Sequence, residues 1–409
     1  MRILIIGQGG REYAFAKYLN KNNEIFFYPS NNLLNEIYQS LNEEKNLINE
    51  IKQKNINLCI IGPEKYLAQG LVDKLKKENI LVFGPTKKCA LLETSKLFAK
   101  KFMIKYSIPT PKFFVINNLK EGKEKINKFP AVLKYDGLAG GKGVEICWTK
   151  DEVNNYLINV FEKNKFGKIK PIIIEEYLNG DELSVICAVS NFEYFIFPPA
   201  RDYKRLLNNN KGPNTGGMGA VASQKIIKKS LLKQIEEQII KPTINGLKRE
   251  CLDYTGFLYF GLILTKEGPK VLEYNCRFGD PEAQVILPLI KGDFAKFIFN
   301  LCKKIFDKKI IQFSNKWSIC VVCSAPGYPE NPEKNLEIFG LEKIKKSQIF
   351  FAGIDKINKK YFTNSGRVLA IGYTHRNFNI ARNIVYSEIK KIKWKNIHFR
   401  NDIGKEFLK

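Results

Sequence analysis

Short apolar runs alternate with amphipathic stretches through the first hundred residues. Residues 2–6 read as a buried strand, the turn Gly7-Gln8-Gly9-Gly10-Arg11-Glu12 follows, and residues 13–19 read as a helix. Residues 58–61 and 80–83 are further strands, ending near Gly62-Pro63 and Gly84-Pro85. That alternation predicts a doubly wound parallel sheet, with ligands at the strand C-termini. A helix over 96–106 leads out, and Ile108-Pro109-Thr110-Pro111 breaks it as a linker. A small β-rich unit is expected over 113–189. Apolar strands resume at 256–264 and 271–274, residues 286–306 read as mostly helical, and 308–315 as a connector. A last unit from Trp317 onward carries strand-like runs at 319–323 and 368–373.

Composition narrows the class. A chain of 409 residues exceeds one ordinary core, so two to four domains are expected. Its 44% hydrophobic content is that of a globular protein. No apolar run approaches the about 20 residues needed to cross a membrane. Met1 to Gly7 is a strand ending in glycine and not a signal peptide. The nine cysteines are odd in number and scattered, which argues against a disulfide framework and for a reducing, cytoplasmic location. Cys320 and Cys323 have CxxC spacing, but lie in an apolar run without a second pair, so they read as buried thiols. The net charge of +26 raises a nucleic-acid reading. Lysines are spread along the whole chain, however. Asparagine and isoleucine are also abundant and only two histidines occur, the bias an A/T-rich gene produces. The expectation is general attraction to polyanions, ATP included, and no specific nucleic-acid partner.

Four segments carry candidate chemistry. In Val271-Leu272-Glu273-Tyr274-Asn275-Cys276-Arg277, Glu273 and Asn275 are two apart and share one strand face. A carboxylate beside an amide oxygen suits a hard cation such as Mg²⁺. Arg277 adds a fork for a phosphate or carboxylate. A solvated polar strand end is the bland alternative. Pro130 to Lys134 is a strand, Tyr135-Asp136-Gly137-Leu138-Ala139-Gly140-Gly141-Lys142-Gly143 a loop, and 144–146 a returning strand. This is a hairpin and not a Walker loop, which would open a helix. Gly140, Gly141 and Gly143 let backbone approach triphosphate oxygens, Lys142 adds charge, and the loop can close over ATP. A structural glycine hairpin competes, and Lys134 and Lys142 weigh against it. Asp202, Lys204 and Arg205 precede a second glycine loop, Gly212-Pro213-Asn214-Thr215-Gly216-Gly217-Met218-Gly219, read as facing a ligand against the alternative of a disordered surface loop. At the N-terminus, G-x-G-G lacks the third glycine of the dinucleotide motif because position 12 is Glu. Its amides could still hold an anion, and a turn kept for geometry alone is nearly as good a reading.

Taken in order, these segments resemble the ATP-grasp superfamily and, within it, the phosphoribosylamine–glycine ligase family. The resemblance spans nearly the whole chain: Gly9-Gly10-Arg11-Glu12, Gly84-Pro85-Thr86, Asp136-Gly137-Leu138-Ala139, Gly212 to Gly219, Thr255 to Tyr259, Asn275 to Glu282, Gly366-Arg367-Val368-Leu369 and Asp402-Ile403-Gly404. The stretch Asn275-Cys276-Arg277-Phe278-Gly279-Asp280-Pro281-Glu282 is the most specific. The resemblance implies an α/β multidomain fold: a Rossmann-like N-terminal domain (1–102), an ATP-grasp centre (103–312) with 113–189 as its small lid, and a mixed α/β C-terminal domain (316–409).

It also implies ATP as cosubstrate, Mg²⁺ or Mn²⁺, and glycine and 5-phosphoribosylamine as substrates of a monomer. Glu273 and Asn275 would hold the metal. Lys96, Lys134 and the loop Gly140-Gly141-Lys142-Gly143 would hold the triphosphate, and Glu175, Glu176, Leu178 and Glu182 would border adenine and ribose. Arg277 and Lys142 would act at the reacting centre. Gly9, Gly10, Arg11, Glu12, Asp202, Lys204, Asn214 and Asp280 would line the substrate side. Three positions depart from common patterns. Tyr13 and Tyr203 stand where the family usually has histidine, with packing as the conservative reading. Phe260 stands where many other ATP-grasp enzymes place an acidic metal ligand, which favours this family over its relatives. Another carboxylate–amine ligase on the same fold, or a basic nucleic-acid-binding protein without turnover, are the alternatives.

Overall fold

The computed structural model describes residues 1–41, 46–140 and 143–408. A five-stranded, all-parallel sheet forms the N-terminal part, in the order Gln39–Ser40, Glu24–Tyr28, Arg2–Ile6, Leu58–Ile61, Val82–Phe83. The strand Arg2–Ile6 sits at its centre, with Ile3, Leu4, Ile5 and Ile6 fully buried. Burial on both faces is what a continuous apolar run selects. The following helix begins earlier than its apolar pattern suggests, at Gly10, and runs to Leu19.

The four-stranded antiparallel lid sheet has the order Phe113–Ile116, Ile172–Glu176, Ala131–Tyr135, Val144–Cys147. Its helix Lys150–Phe161 packs Val153, Tyr156, Leu157 and Val160 into a separate small core. The lid therefore stops at Glu176 and not at 189. Asp181–Ser190 pairs along its length with Gly256–Thr265 and belongs to the large sheet. That strand is buried on both faces from Leu183 to Ser190, which suits a sheet interior and not a lid edge.

The nine-stranded antiparallel sheet runs from Gly268–Asn275 through Gly256–Thr265, Asp181–Ser190, Ala200–Asp202 and Gly219–Ala222 to Trp317–Ser324, Arg367–His375 and Gln348–Phe351, with Glu193–Ile196 paired to Asp181–Ser190 as the ninth strand. The C-terminal unit is thus hydrogen-bonded into the central sheet through Gly219–Ala222 and Trp317–Ser324, so the backbone ladder is continuous across the expected boundary near 316. Residues 286–306 are less helical than expected. Pro288 lies in a short 3-10 turn, a strand Ile290–Gly292 pairs with Ile311–Phe313, and only Phe294–Cys302 is a full helix.

Aromatic packing joins the first unit to the central sheet. Phe257 lies 4.7 Å from Phe83, 4.8 Å from Phe278, 5.6 Å from Phe15 and 5.9 Å from Phe197, ring centre to ring centre. Removing the ring opens a cavity at this junction. Phe257→Ala is expected to cost about 3–5 kcal/mol, read as a lower urea midpoint; a midpoint within error of the native protein contradicts this role.

Candidate active site

Gly256–Thr265 and Gly268–Asn275 form an antiparallel hairpin, with Gly261 opposite Glu273 and Tyr259 opposite Asn275. Tyr274 between them is buried, so Glu273 and Asn275 project together from the other face. Among the described residues neither side chain has a hydrogen-bond or ion-pair partner. Two free oxygen donors fit a hard cation that completes its shell with water and phosphate oxygens. No cluster of three or more His, Cys, Asp or Glu side chains is present among the described residues, so the chain offers no closed cage. Burial works to raise the Glu273 carboxyl, but Lys204, Lys134, Lys96 and Arg277 outweigh it and hold the group below its ordinary value, charged.

The lysines expected at the phosphates come from the lid and the helix Lys96–Lys105. Asp136 accepts from Leu97 N at 3.1 Å and from Ser95 Oγ at 3.1 Å, fixing that helix start against the hairpin loop. Lys96 Nζ donates to Gly137 O at 3.0 Å. Lys134 Nζ donates to Leu272 O at 3.0 Å, one residue before Glu273. In the loop, Gly140 has φ +56° and a Cβ there would meet no atom within 4 Å, which leaves one side open. Tyr135 N and Tyr156 OH both donate to Gly143 O, at 2.8 Å each. Gly141 and Lys142 lie outside the described residues.

Several expected roles change. Glu175 does not border a ligand with its carboxylate. It is buried, with Lys100 Nζ 2.9 Å from Oε1 and Lys134 Nζ 2.8 Å from Oε2. Glu176 accepts from Lys112 N at 2.8 Å and pins the linker. Leu178 is half-buried in the connection from lid to large sheet, and Glu182 pairs with Lys204 at 2.7 Å. Glu12 is also turned inward. It accepts from Gly9 N at 2.7 Å and Arg11 Nε at 2.6 Å, and fills the space over Gly7 and Gly62, where a Cβ would collide with it. Glu12 therefore caps its own helix, and Arg11 reaches Phe278 O at 3.1 Å, so both are framework. Arg277 is already loaded: its Nε lies 2.8 Å from Glu64 and 3.1 Å from Glu93.

On the substrate side, Asp202 and Lys204 meet Glu182 beside the strand end, and burial with Glu282, Glu182 and Glu273 pushes the Asp202 carboxyl up against the pull of Lys204. Asn214 lies on a short hairpin, Arg205–Leu207 with Lys211–Asn214. Asp280 accepts from Gln284 at 2.7 Å and pairs with Arg367 at 2.8 Å. Gln284 also sits over Gly10, leaving no room for a Cβ there. Arg367 donates to Gly216 O at 2.6 Å and Asp280 O at 2.8 Å, locking the second glycine loop to the metal strand's exit. The two unusual tyrosines pack. Tyr13 contacts Tyr38 and Phe351, and Tyr203 OH donates to Glu406 at 2.7 Å while accepting from Gly404 N at 2.9 Å. Phe260 is buried against Tyr274. Sequence reasoning missed Lys100, Glu64 and Glu93, and gave Arg367 no role. Only Lys100 carried a signal, standing four residues after Lys96 on one helix.

Comparison with known proteins matches residues 1–93, 94–283 and 318–406 to the N, ATP-grasp (A) and C domains of phosphoribosylglycinamide synthetase. A phosphoribosylamine–glycine ligase of Caldanaerobacter subterraneus is 39% identical over 99% of both chains. The chain belongs to the phosphoribosylglycinamide synthetase family. Within it, the human trifunctional purine biosynthetic protein adenosine-3 is 36% identical over 98% of this chain and 42% of its own length. The crystal structure of the Thermotoga maritima phosphoribosylamine–glycine ligase superposes with a TM-score of 0.87 at 36% identity, covering 99% of this chain and 100% of that one. A biotin carboxylase domain from Hydrogenobacter thermophilus, solved with MgADP, shares the fold at a TM-score of 0.73 and 13% identity, covering 97% of this chain and 91% of that one. No helix among the described residues of this synthetase-family chain is long and apolar enough to cross a membrane.

The single guanidinium of Arg277 serves two carboxylates with opposite outcomes. Burial raises the Glu64 carboxyl, yet Arg277 and Arg11 overcome it and bring it down to about 2. Burial lifts Glu93 to about 7, with Arg277 opposing and Glu64 adding to the rise. A carboxyl raised above its unfolded value of about 4.5 contributes stability that is complete below that value and lost as pH climbs through about 7. Native stability should therefore decline from pH 5 to 8 through this group, and Glu93→Gln should flatten that part of the urea-midpoint profile. An unchanged slope in the variant contradicts the assignment.

Proposed function

We propose that this protein joins glycine to 5-phosphoribosylamine at the expense of ATP, giving glycinamide ribonucleotide, ADP and phosphate in purine biosynthesis. The observation that carries the reading is the unpartnered Glu273–Asn275 pair, faced by Lys96, Lys134, Lys204 and Arg277 beneath a glycine hairpin. A carboxylate is a poor acyl donor, because its oxygen leaves badly and its charge repels nucleophiles. In-line transfer of the γ-phosphoryl group to the glycine carboxylate makes glycyl phosphate, and the phosphoribosylamine nitrogen displaces phosphate from its carbonyl carbon.

The chain's own work is positioning and charge neutralisation. Lys96 and Lys134, with the loop from Gly140 to Gly143, hold the triphosphate. The connection at Leu178 presents backbone to adenine. Glu273 and Asn275 would hold Mg²⁺ or Mn²⁺, which would supply positive charge to offset that of the phosphates. The carboxylates of Asp202, Glu182 and Glu282 suit the ammonium of glycine and the amine of the second substrate, and Asn214 and Asp280 border the same side. Arg277, held by Glu64 and Glu93, presents its remaining donors toward the transferred phosphoryl group or the glycine carboxylate. Closure of the hairpin loop excludes water from the acyl phosphate.

ADP release measured with each substrate omitted in turn tests the reaction. Release should require ATP, glycine and phosphoribosylamine together; release that is indifferent to glycine, or supported as well by another amino acid, rejects it. Glu273→Ala should lower turnover by about 10²–10³ with the thermal midpoint retained, and full activity in that variant removes the metal assignment.

A further inference from the structure

The buried Glu175 is shared by two lysines that come from different parts of the chain. Lys134 reaches Oε2 from the lid strand Ala131–Tyr135, and Lys100 reaches Oε1 from the helix Lys96–Lys105. Side-chain exposure is 1% for Glu175, 2% for Lys100 and 7% for Lys134, so these three charges are desolvated together. Glu176 also acts on Lys100, and Lys134 also acts on Glu273. Both contacts are ion pairs, and each ammonium directs a hydrogen bond elsewhere: Lys100 Nζ donates to Thr110 Oγ1 at 2.6 Å and Lys134 Nζ to Leu272 O at 3.0 Å. Thr110 Oγ1 in turn donates to Val271 O at 2.8 Å, on the strand that carries Glu273. Glu175 thus has one ammonium at each carboxylate oxygen.

We propose that Lys100 is a positioning residue that takes over Glu175 when Lys134 leaves it for the phosphates of ATP. This rests on the reading of Lys134 as a phosphate-binding cation. Lys134 lies on Glu175 and donates to Leu272 O. When phosphate draws Lys134 away, Glu175 would be left as an isolated buried carboxylate unless a second cation were already in place. Lys100 is that cation. Burial brings the Lys100 ammonium down to about 8 even beside Glu175, which shows how little solvation it has to lose on tightening.

A role confined to folding and a role in this exchange differ in one respect: only the exchange can be rescued by deleting the carboxylate. Full-length protein carrying Lys100→Met should bind MgADP about 10-fold more weakly, and raise KM for ATP similarly, with a smaller change in kcat. Lys100→Arg should recover most of the loss, and Lys100→Met with Glu175→Gln should return the MgADP Kd to within about threefold of native. That tenfold corresponds to about 1.4 kcal/mol. If Lys100→Met fails to fold, the double variant and Lys100→Gln carry the same comparison. An unchanged MgADP Kd in Lys100→Met, or no rescue by Glu175→Gln, overturns the proposal. Lys134→Met separates the two readings. If it cripples MgADP binding while Lys100→Met does not, only the exchange fails; if it leaves binding intact, the phosphate assignment of Lys134 fails first.

Discussion

One strand separates two opposite charge imbalances. On one side, Lys100 and Lys134 share the carboxylate of Glu175. On its substrate side, Asp202, Glu182 and Glu282 outnumber Lys204. Glu273 lies between them and stays charged because cations from both sides reach it. Neither imbalance is stable in isolation at low dielectric.

The scaffold enforces that arrangement from three directions. Phe257 and its neighbours fix the parallel sheet against the central one. Asp136 ties the helix that carries Lys96 and Lys100 to the hairpin loop. Arg367, reaching in from the C-terminal unit, bonds Gly216 and Asp280 together. The continuous ladder through Trp317–Ser324 explains why that last contact can be rigid. A C-terminal domain joined only by a linker would hold Arg367 far less firmly.

Much of this was legible in the residues, for a physical reason. Period-two alternation placed Glu273 and Asn275 on one face without reference to the rest of the chain, and the glycine hairpin announced itself by composition. What sequence could not show was where a charged side chain finds its partner. Glu175 and Glu12 look like ligand residues because they are acidic and sit at strand and helix ends. The fold turns both inward, one between two lysines and one over Gly7 and Gly62. Glu64 and Glu93 reach Arg277 across separations of 213 and 184 residues, contacts that no local pattern encodes. The lid boundary failed for a related reason: a strand's sheet is decided by its partners, and residues 181–190 pair with 256–264.

The chain-wide charge and the site's charge are separate matters. Most of the surplus behind the value of +26 is carried by exposed lysines, whose attraction for ATP is screened beyond about 8–10 Å at physiological ionic strength. Lys100 and Lys134 are desolvated and work at contact distance, where added salt reaches them poorly. Drift in surface composition can therefore alter encounter rates with polyanions while leaving this buried charge group intact. Tyr203 illustrates the same tolerance. Its hydroxyl is used by Glu406 and Gly404 and its ring is covered by Arg400, so the position holds the C-terminal segment without taking part in the charge balance of the reacting centre.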